Sequence, residues 1–440
     1  MEPDYNEKTP LNPAPLYRSP PINADTHKGP CGHTDDDDAH SAVQSMGSLA
    51  SDVKDFYTFH LRGGHSFTIK SQKLNIILTV LTILTNLMMF VSLPLLNNAI
   101  NKRNYNDYYP VILFASIWFQ PFFFGLVFLN KYMNPTAETR SSVSHFTMAL
   151  LGLLNALNGI LVVYAADPKR TSGSLQALLS TSSIPFTVIF RFILLRKGVS
   201  RGRLVCTGIV LIGLFIALEP EIFSIGEKAA PVPGAVTGVM KVLWPVLFLL
   251  GFLPVGIINA LIERELKKDQ TESLVFLAWV QLYNCIFVLF FFWTDFIPSF
   301  GAADSIEDFG KHMLYALKCM YFADSTCMTA AAAYFVFILA YCLANLMIFL
   351  LVKFAEGAIW LVLVQALVTP LGSLFFTLFS VAPIPPQEHG TFHWAPNFDL
   401  SVAFRLAGLL ILVPTVVFYN YFGEQERKAA QRRITDEQGT

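Results

Sequence analysis

The chain has 440 residues, of which 53% are hydrophobic and only 14% carry a formal charge. Soluble domains carry about 25% charged residues, so this composition excludes an ordinary soluble protein and favours one embedded in a lipid bilayer. The formal net charge is −1 at pH 7, which lacks the basic excess typical of nucleic-acid-binding proteins. We therefore expect a lipid bilayer and a small-molecule solute as partners, and no nucleic acid.

The N-terminal segment differs in composition from the rest of the chain. Residues 1–72 begin with a stretch that is rich in Pro and Asp and poor in apolar side chains. Such a stretch buries too little surface to offset the entropy of ordering, so we expect a disordered cytosolic tail. It also has no basic region followed by an apolar run, which argues against a secretory signal peptide.

Apolar stretches long enough to cross the bilayer core recur along the remainder of the chain. The backbone inside lipid can satisfy its hydrogen bonds only as helices or closed barrels, so each stretch is expected to be helical. The expected fold is therefore an all-α polytopic membrane protein with ten transmembrane helices. The predicted spans are 74–97, 110–130, 144–166, 173–195, 203–222, 239–262, 273–297, 328–353, 357–380 and 399–422.

The distribution of Lys and Arg predicts the orientation. Short loops on one side of the membrane carry a modest excess of basic residues, among them Arg196, Lys197, Arg264 and Lys267. Basic loops stay on the cytosolic side, and both chain ends fall on that side when ten spans are counted. We therefore expect both termini in the cytosol.

A weak internal repeat divides the chain into two halves. In each half an Asn in one span is followed by a polar break with a Gly and then a Pro in the next span. The matched pairs are Asn158 with Asn345, Gly173 with Gly357, and Pro185 with Pro370. Five spans separate the two units, so the halves have opposite topology, which is typical of transporters. The predicted regions are repeats 73–223 and 224–425, a lumenal loop 298–327 within the second, and a cytosolic tail 426–440.

Two matching spans carry polar stripes. The residues recur at intervals of about four, which keeps them on one face of a helix. The first stripe consists of Gln176, Ser180, Ser183 and Thr187, and the second of Gln365, Thr369 and Ser373. Such stripes either pack helix against helix or line a wet cavity. Because both occur at equivalent places, we interpret them, with Asn155 and Asn345, as a solute-binding cavity.

Charged residues inside the predicted spans are few. Arg191 extends the first stripe and could bind an anionic solute group or extend to the cytosolic surface. Both alternatives stay open. Acidic residues occur only at span ends, as Glu219, Glu263 and Asp295. A proton-coupled carrier usually needs a buried acid, so proton coupling also stays open.

Three segments carry a resemblance to a known family. The segment "SGSLQALLSTSSIPFTVIFRFILLRK", together with "NALIERELKK" and "ANLMIFLLVKF", resembles the chloroquine-resistance transporter family, a branch of the drug/metabolite transporter superfamily. The matching positions in the first segment are Ser172, Gly173, Gln176, Ser183, Ile184, Pro185, Phe190, Phe192 and Arg196.

The resemblance implies function as well as fold. It implies ten spans in two inverted repeats and transport of small organic solutes. From the matched positions of the two stripes we expect a secondary transporter that works by alternating access. The implied solutes are amino acids, short peptides, glutathione-like thiols or organic cations, and the implied location is a vacuolar or lysosome-like membrane. This chain departs from the family where Ala344, Asn155 and Asn158 replace positions that can be acidic, which makes cation transport and proton coupling less secure.

Two cysteines flank part of the predicted lumenal loop. The resembling family has paired lumenal cysteines there, so the resemblance implies a disulfide between Cys319 and Cys327. Before them, Ser305 and Asp308 are spaced like a helix-capping pair, which predicts an amphipathic helix on the membrane surface. The three cysteines Cys206, Cys285 and Cys342 are interpreted as apolar packing residues.

Other functional classes lack their sequence signals. The chain has neither a P-loop nor a metalloprotease motif, so we expect no enzyme, no metal and no cofactor. A solute or ion channel stays the alternative, although no charged ring or carbonyl filter is visible. We expect a monomer.

Overall fold

The computed structural model describes most of the predicted membrane region. The described residues are 56–60, 66–100, 108–135, 137–166, 170–171, 176, 179–196, 200–223, 236, 238–268, 272–298, 300–321, 328–355, 357–380, 393–396 and 400–438. Most of the predicted N-terminal tail and the end of the predicted lumenal loop, with Cys327, lie outside them.

The described part of the chain is dominated by α-helices. In chain order they are α1 (Ser71–Ile100), α2 (Tyr109–Met133), α3 (His145–Ala165), α4 (Ser183–Leu195), α5 (Arg201–Phe223), α6 (Met240–Leu266), α7 (Ser273–Phe290), α8 (Ile306–Met320), α9 (Met328–Phe354), α10 (Ala358–Ala366), α11 (Val368–Leu378) and α12 (Leu400–Gln438). A 3₁₀-helix, Phe291–Phe296, continues α7.

Two short antiparallel strand pairs accompany the helices. Strands β1 (Phe56–His60) and β2 (Ser66–Lys70) pair in a register that places Phe56 opposite Lys70. Their sequences are rich in aromatic and β-branched residues, which favour strands. This hairpin falls within 1–72, where the sequence predicted a disordered tail. Strands β3 (Phe379–Ser380) and β4 (His393–Trp394) form the other pair.

Seven helices of the described residues are long and apolar enough to cross a membrane. They are Ser71–Leu93, Tyr109–Met133, His145–Ala165, Met240–Leu266, Ser273–Phe296, Ala331–Phe354 and Val402–Gly423. The predicted fourth and ninth spans contain shorter apolar helices, Ser183–Leu195 and Ala358–Gly372. The predicted fifth span is the 23-residue helix α5. A polytopic helical membrane protein is therefore confirmed, whereas ten spans in inverted repeats stays a prediction.

The fourth and ninth spans are both irregular a few residues before a proline. The Ser182 N–H donates to Leu179 O and the Ile184 N–H to Thr181 O, so the chain makes a tight turn just before Pro185. The backbone likewise tightens at Leu367, whose N–H donates to Val364 O. Proline has no N–H for the carbonyl four residues back, so Pro185 and Pro370 leave one helical hydrogen bond unmade at each break.

Helices from the two predicted halves are interleaved. Packed pairs that cross between the halves include α1 with α9, α3 with α6, α5 with α12, α2 with α7, α3 with α7, α4 with α6, α1 with α11, and α10 with α4. One crossing is held by Asn158 of α3, whose Nδ2 donates to Gly251 O on α6 at 2.8 Å. A Cβ at Gly251 would lie 2.7 Å from Val162 Cγ2, so a larger residue there would require the Val162 side chain to shift.

The predicted amphipathic helix is α8. The Asp308 N–H donates to Ser305 Oγ at 3.2 Å, which is the expected N-terminal cap. Ile306 and Leu314 of its apolar side are exposed, while Phe309 contacts Phe296 with ring centroids 5.4 Å apart. The helix is confirmed, and its position on a membrane surface stays a prediction.

Candidate functional site

The first polar stripe does not face a single environment. Gln176 donates from Nε2 to Ala166 O at 2.7 Å and to Thr171 O at 2.6 Å. It therefore holds the backbone of the connection that leads from α3 into the fourth span. Ser180 and Ser183 are half-buried. Thr187 is fully buried and accepts a hydrogen bond from Asn259 Nδ2 on α6 at 3.1 Å.

The second stripe lies on α10 and α11, and α10 packs against α4. Gln365 and Thr369 are half-buried, and the side chain of Ser373 lies outside the described part of the chain. The structure thus brings the two helical segments that carry the stripes into contact. Which of their side chains bind a solute stays a prediction.

Asn345 belongs to a cluster of amide side chains between α2, α7 and α9. Gln281 donates from Nε2 to Asn345 Oδ1 at 3.2 Å, and Gln120 donates from Nε2 to Gln281 O at 3.0 Å. Asn345 in turn donates to Tyr341 O. Asn155 is half-buried on α3, less than one turn before the bound Asn158. These amides cross-link helices and also leave acceptor oxygens, such as Gln281 Oε1, without a partner among the described residues.

Arg191 is buried, and whether it binds a solute stays a prediction. It is only 5% exposed, so it does not reach the surface, and it faces Glu263, which is 3% exposed. Its Nε donates to both carboxylate oxygens, at 3.1 Å and 2.9 Å, and its Nη2 donates to Oε1 at 3.0 Å. Arg191 on α4 and Glu263 on α6 therefore form a buried ion pair between the two predicted halves.

The start of α10 completes this ion pair. The Ala358 N–H donates to Glu263 Oε2 at 3.0 Å, where the positive end of the helix dipole favours a carboxylate. The preceding residue, Gly357, has φ 94°, a backbone conformation that favours glycine. A Cβ there would lie 2.6 Å from Glu263 Oε1. Arg191, Glu263 and the Gly357–Ala358 peptide thus tie α4, α6 and α10 together; we name this the arginine network.

Glu263 was not predicted as a site residue because it lies at the end of its predicted span. A usable signal existed, since an arginine inside a span usually pairs with a carboxylate or backbone carbonyl. The 72 positions between Arg191 and Glu263 left no local pattern to join them.

A second buried carboxylate lies at the end of the 3₁₀-helix. Asp295 is 0% exposed, and its Oδ1 accepts from Tyr164 Oη at 2.9 Å and from the Ala302 N–H at 3.1 Å. Its Oδ2 is buried and has no hydrogen-bond partner in the described part of the chain. Tyr164 ends α3 in the first predicted half, so this contact also crosses between the halves.

Aromatic rings close over the same end of the helices. The ring of Phe300 stacks on Tyr164, with centroids 4.7 Å apart, and on Trp244, with centroids 5.5 Å apart. The Arg170 guanidinium lies 4.1 Å from the centroid of the Trp244 ring, and its Nη1 donates to Tyr164 O. We name Asp295 and this aromatic stack the aspartate network.

The two networks lie at opposite ends of α6. Trp244 is near the start of the helix and Glu263 is near its end. At 1.5 Å per residue, the nineteen positions between them span about 28 Å, which is close to the thickness of a bilayer core. Buried contacts between the two predicted halves therefore occur at both ends of a membrane-length helix.

The cysteines and possible metal ligands lie apart from the arginine and aspartate networks. Cys319 is fully buried in α8, but Cys327 lies outside the described ranges, so the disulfide stays a prediction. Cys206, Cys285 and Cys342 are free thiols inside helices. Within the described ranges, no three His, Cys, Asp or Glu side chains are arranged to hold a metal ion.

Two relatives match long parts of the chain. One is "Crt homolog 1" of Dictyostelium discoideum, 27% identical over 221 residues, which are 48% of this chain and 44% of the relative. The other is "Chloroquine resistance transporter" of Toxoplasma gondii, 21% identical over 348 residues, which are 74% of this chain and 36% of the relative. The chain thus spans less than half the length of these curated relatives.

A family model matches most of the membrane region. The model is described as CRT-like, chloroquine-resistance transporter-like, and it matches residues 76–412. The match includes the helices that carry the polar stripes, the arginine network and the aspartate network. From this match and the apolar helices, the chain belongs to the chloroquine-resistance transporter-like family of membrane proteins.

Proposed function

We propose that this protein is a secondary transporter that moves small polar organic solutes across an endomembrane by alternating access. The observation that carries the proposal is the pair of networks at opposite ends of α6. Each network joins elements from both predicted halves through buried contacts. Alternating access requires such contacts to break at one end while they hold at the other.

Helix packing supports the inverted-repeat part of the proposal. Spans one to five correspond to α1, α2, α3, the segment ending in α4, and α5, and spans six to ten correspond to α6, α7, α9, α10 with α11, and α12. If each span is replaced by its counterpart in the other half, the packed pair α1–α9 becomes the packed pair α6–α3. The α2–α7 and α5–α12 pairs each map onto themselves. These four pairs are unchanged by exchange, as a two-fold pseudosymmetric carrier requires, whereas α3 packs more extensively on α7 than α9 packs on α2.

The matched breaks in spans four and nine support a solute site between them. Interrupted helices expose backbone groups, and membrane proteins tolerate such breaks where they are buried in protein or line a water-filled cavity. The breaks lie next to Ser183 and Thr369 in the two polar stripes. We place the solute site there, with Gln176, Ser180, Gln365 and Asn155 among its members.

The residues of the stripes indicate the class of solute. They are amides and hydroxyls, which bind neutral polar groups by hydrogen bonds, and the one nearby arginine is already neutralised by Glu263. Together with the family resemblance, these residues lead us to propose amino acids, short peptides or glutathione-like thiols as solutes; organic cations are proposed from the resemblance alone. We place the protein, as a monomer with cytosolic termini, in a vacuolar or lysosome-like membrane because of its family.

Uptake into proteoliposomes tests the function. We expect saturable uptake and counterflow of at least one of these solutes. The double variant Gln176→Ala, Gln365→Ala should raise the KM for that solute because two hydrogen-bonding groups are lost. Gln425→Ala is the matched control, since Gln425 lies on α12 beyond the predicted last span.

Two outcomes would overturn the proposal. Unchanged kinetics in a folded double variant would remove the stripes from the solute site. Ion currents too large for the turnover of a carrier would instead favour the channel alternative.

A further inference from the structure

Two glutamine side chains meet where α2 packs against α7. Gln120 on α2 donates from Nε2 to Gln281 O on α7 at 3.0 Å, and Gln281 is only 2% exposed. The oxygen atoms Gln120 Oε1 and Gln281 Oε1 are both buried and have no hydrogen-bond partner among the described residues. A buried acceptor without a donor costs free energy, and native structures rarely contain one. Two such oxygens at one contact point to a donor that the described part of the chain does not supply.

Hydrogen bonds fix which atom of the Gln120 amide is the oxygen. Its Nε2 lies 3.1 Å from Ser116 O and 3.0 Å from Gln281 O. Both are backbone carbonyl oxygens, which accept hydrogen bonds but cannot donate them. If the amide were turned over, its Oε1 would lie against two acceptors. The atom of Gln120 that has no described partner is therefore an acceptor oxygen.

The orientation of the Gln281 amide follows from Asn345. The Nδ2 of Asn345 donates to the backbone carbonyl of Tyr341 at 2.9 Å, so Asn345 presents its Oδ1 to Gln281. Gln281 must then present its Nε2, which donates to that oxygen at 3.2 Å. The contact between α2 and α7 thus offers two amide oxygens that can only accept a hydrogen bond.

The charges on these helices decide which kind of donor fits. Within α2, α7 and α9 as described, the charged residues are Lys131 and Lys353, and each lies in the last turn of its helix. An ammonium group buried without a countercharge is costly. Ca²⁺ or Mg²⁺ would take about six oxygen ligands, which is more than the two glutamines supply. A neutral N–H group needs only an acceptor oxygen, so it is the donor that fits this contact.

The contact also lies where the proposed mechanism places a solute. Asn345, which is bonded to Gln281, belongs to the predicted solute-binding cavity, and its helix α9 packs on α10, which carries Gln365. Helices α2 and α7 are counterparts in the two predicted halves, so the predicted pseudo-two-fold axis passes between them. Inverted-repeat transporters bind solutes at the repeat interface near the membrane midplane. Gln120 lies close to the middle of its membrane-length helix, Tyr109–Met133.

We propose that Gln120 Oε1 and Gln281 Oε1 form a binding site for a neutral N–H group of the transported solute. The inference rests on the proposed function and deepens it, because it divides the proposed solutes by their chemistry. Short peptides and glutathione-like thiols carry a neutral amide N–H, which the two oxygens accept. The ammonium groups of organic cations and free amino acids bring a charge for which these helices offer no countercharge. The two glutamines therefore select solutes with an unsubstituted amide bond.

Two dipeptides that differ only at the amide nitrogen test this site. Glycylglycine has the amide N–H, and glycylsarcosine has a methyl group in its place with the same terminal charges. Titration calorimetry on the purified full chain measures the dissociation constant of each. We expect the wild-type protein to bind glycylglycine about two- to tenfold more tightly, because one buried hydrogen bond contributes that much to affinity.

Methionine variants remove the amide oxygens and keep unbranched side chains of similar length. We expect the preference for glycylglycine to shrink in Gln120→Met and in Gln281→Met and to disappear in the double variant. Gln120→Met leaves the Ser116 and Gln281 carbonyls within their helices, so the melting temperature of the ligand-free variant should stay close to wild type. The matched control is Asn86→Leu, which removes a buried amide that donates within its own helix to Thr82 O. This control should keep the wild-type preference.

The outcomes separate the site from the proposed function. If the variants abolish a measured preference but no solute enters proteoliposomes, the proposed function fails and the site stands. If the wild-type protein binds both dipeptides equally, or binds neither, the site is overturned whether or not other solutes are transported, and its oxygens bind ordered water only. An unchanged preference in folded Gln120→Met, or a lost preference in Asn86→Leu, also overturns it.

Discussion

At the scale of single residues, Arg191 shows which parts of the site the sequence could predict. Its place on the face of the polar stripe follows from helical periodicity, and the structure leaves it there. Its partner does not follow from any local pattern, because Glu263 lies on another helix 72 positions away. The same holds for Asp295 and Tyr164, which are 131 positions apart. Local periodicity therefore predicted the candidate stripes and missed the buried acids.

The first residue-scale prediction concerns the arginine network. Glu263→Gln leaves the guanidinium of Arg191 buried without a countercharge, which for a buried pair costs about 3–5 kcal/mol. We expect a large drop in the melting temperature of the purified protein in detergent. The double variant Arg191→Gln, Glu263→Gln should recover part of the loss, because neither remaining group is charged.

An exposed ion pair provides the control. Lys311 and Glu307 form an i, i+4 pair whose side chains are 62% and 78% exposed, and such pairs contribute about 0–1 kcal/mol. Glu307→Gln should therefore leave the melting temperature nearly unchanged. Equal effects of Glu263→Gln and Glu307→Gln would contradict the structural role of the arginine network.

At the scale of helices, composition predicted where helices form better than where they break. The predicted spans 173–195 and 357–380 each contain a proline, and the described helices α4, α10 and α11 in them are shorter and interrupted. A proline follows each break, but a proline alone does not predict one, since Pro121, Pro254 and Pro414 lie inside continuous helices. By contrast, the cap of α8 was predictable because Ser305 and its partner are three residues apart.

Close helix packing provides the element-scale prediction. On α6, a Cβ at Gly256 would lie 2.7 Å from the carbonyl carbon of Phe186 on α4. Backbone atoms cannot move aside as a flexible side chain can, so Gly256→Ala should force α4 away from α6. The variant should lower both the melting temperature and transport. The matched control is Gly208→Ala on α5, where nothing lies within 4 Å of the added Cβ; its melting temperature should not fall.

At the scale of the whole molecule, the number of membrane crossings decides the topology. Seven helices of the described residues satisfy a length and hydropathy criterion, while the sequence predicts ten spans. The difference lies in the fourth and ninth spans, where the helices are short or interrupted, and in the fifth span, which is the 23-residue helix α5. Helix class and family were predictable from composition and motifs. The interleaving of the halves was not, because it depends on contacts between distant segments.

Whether the number of membrane crossings is even or odd determines on which side of the membrane each terminus lies. Ten crossings place both termini on the same side of the membrane, and seven place them on opposite sides. We expect epitope tags at the two ends to become accessible together when only the plasma membrane of a cell is permeabilised. Accessibility of one tag alone would contradict ten crossings and, with them, the paired five-helix repeats.

The last helix continues well past its apolar part. Helix α12 runs to Gln438, whereas its membrane-length segment ends at Gly423; the fifteen residues between them extend about 22 Å. Arg203 at the start of α5 braces this extension through an ion pair with Glu426. A fluorescent label attached rigidly to this helical extension would report rotation of the α5–α12 pair as a change in the polarisation of its fluorescence.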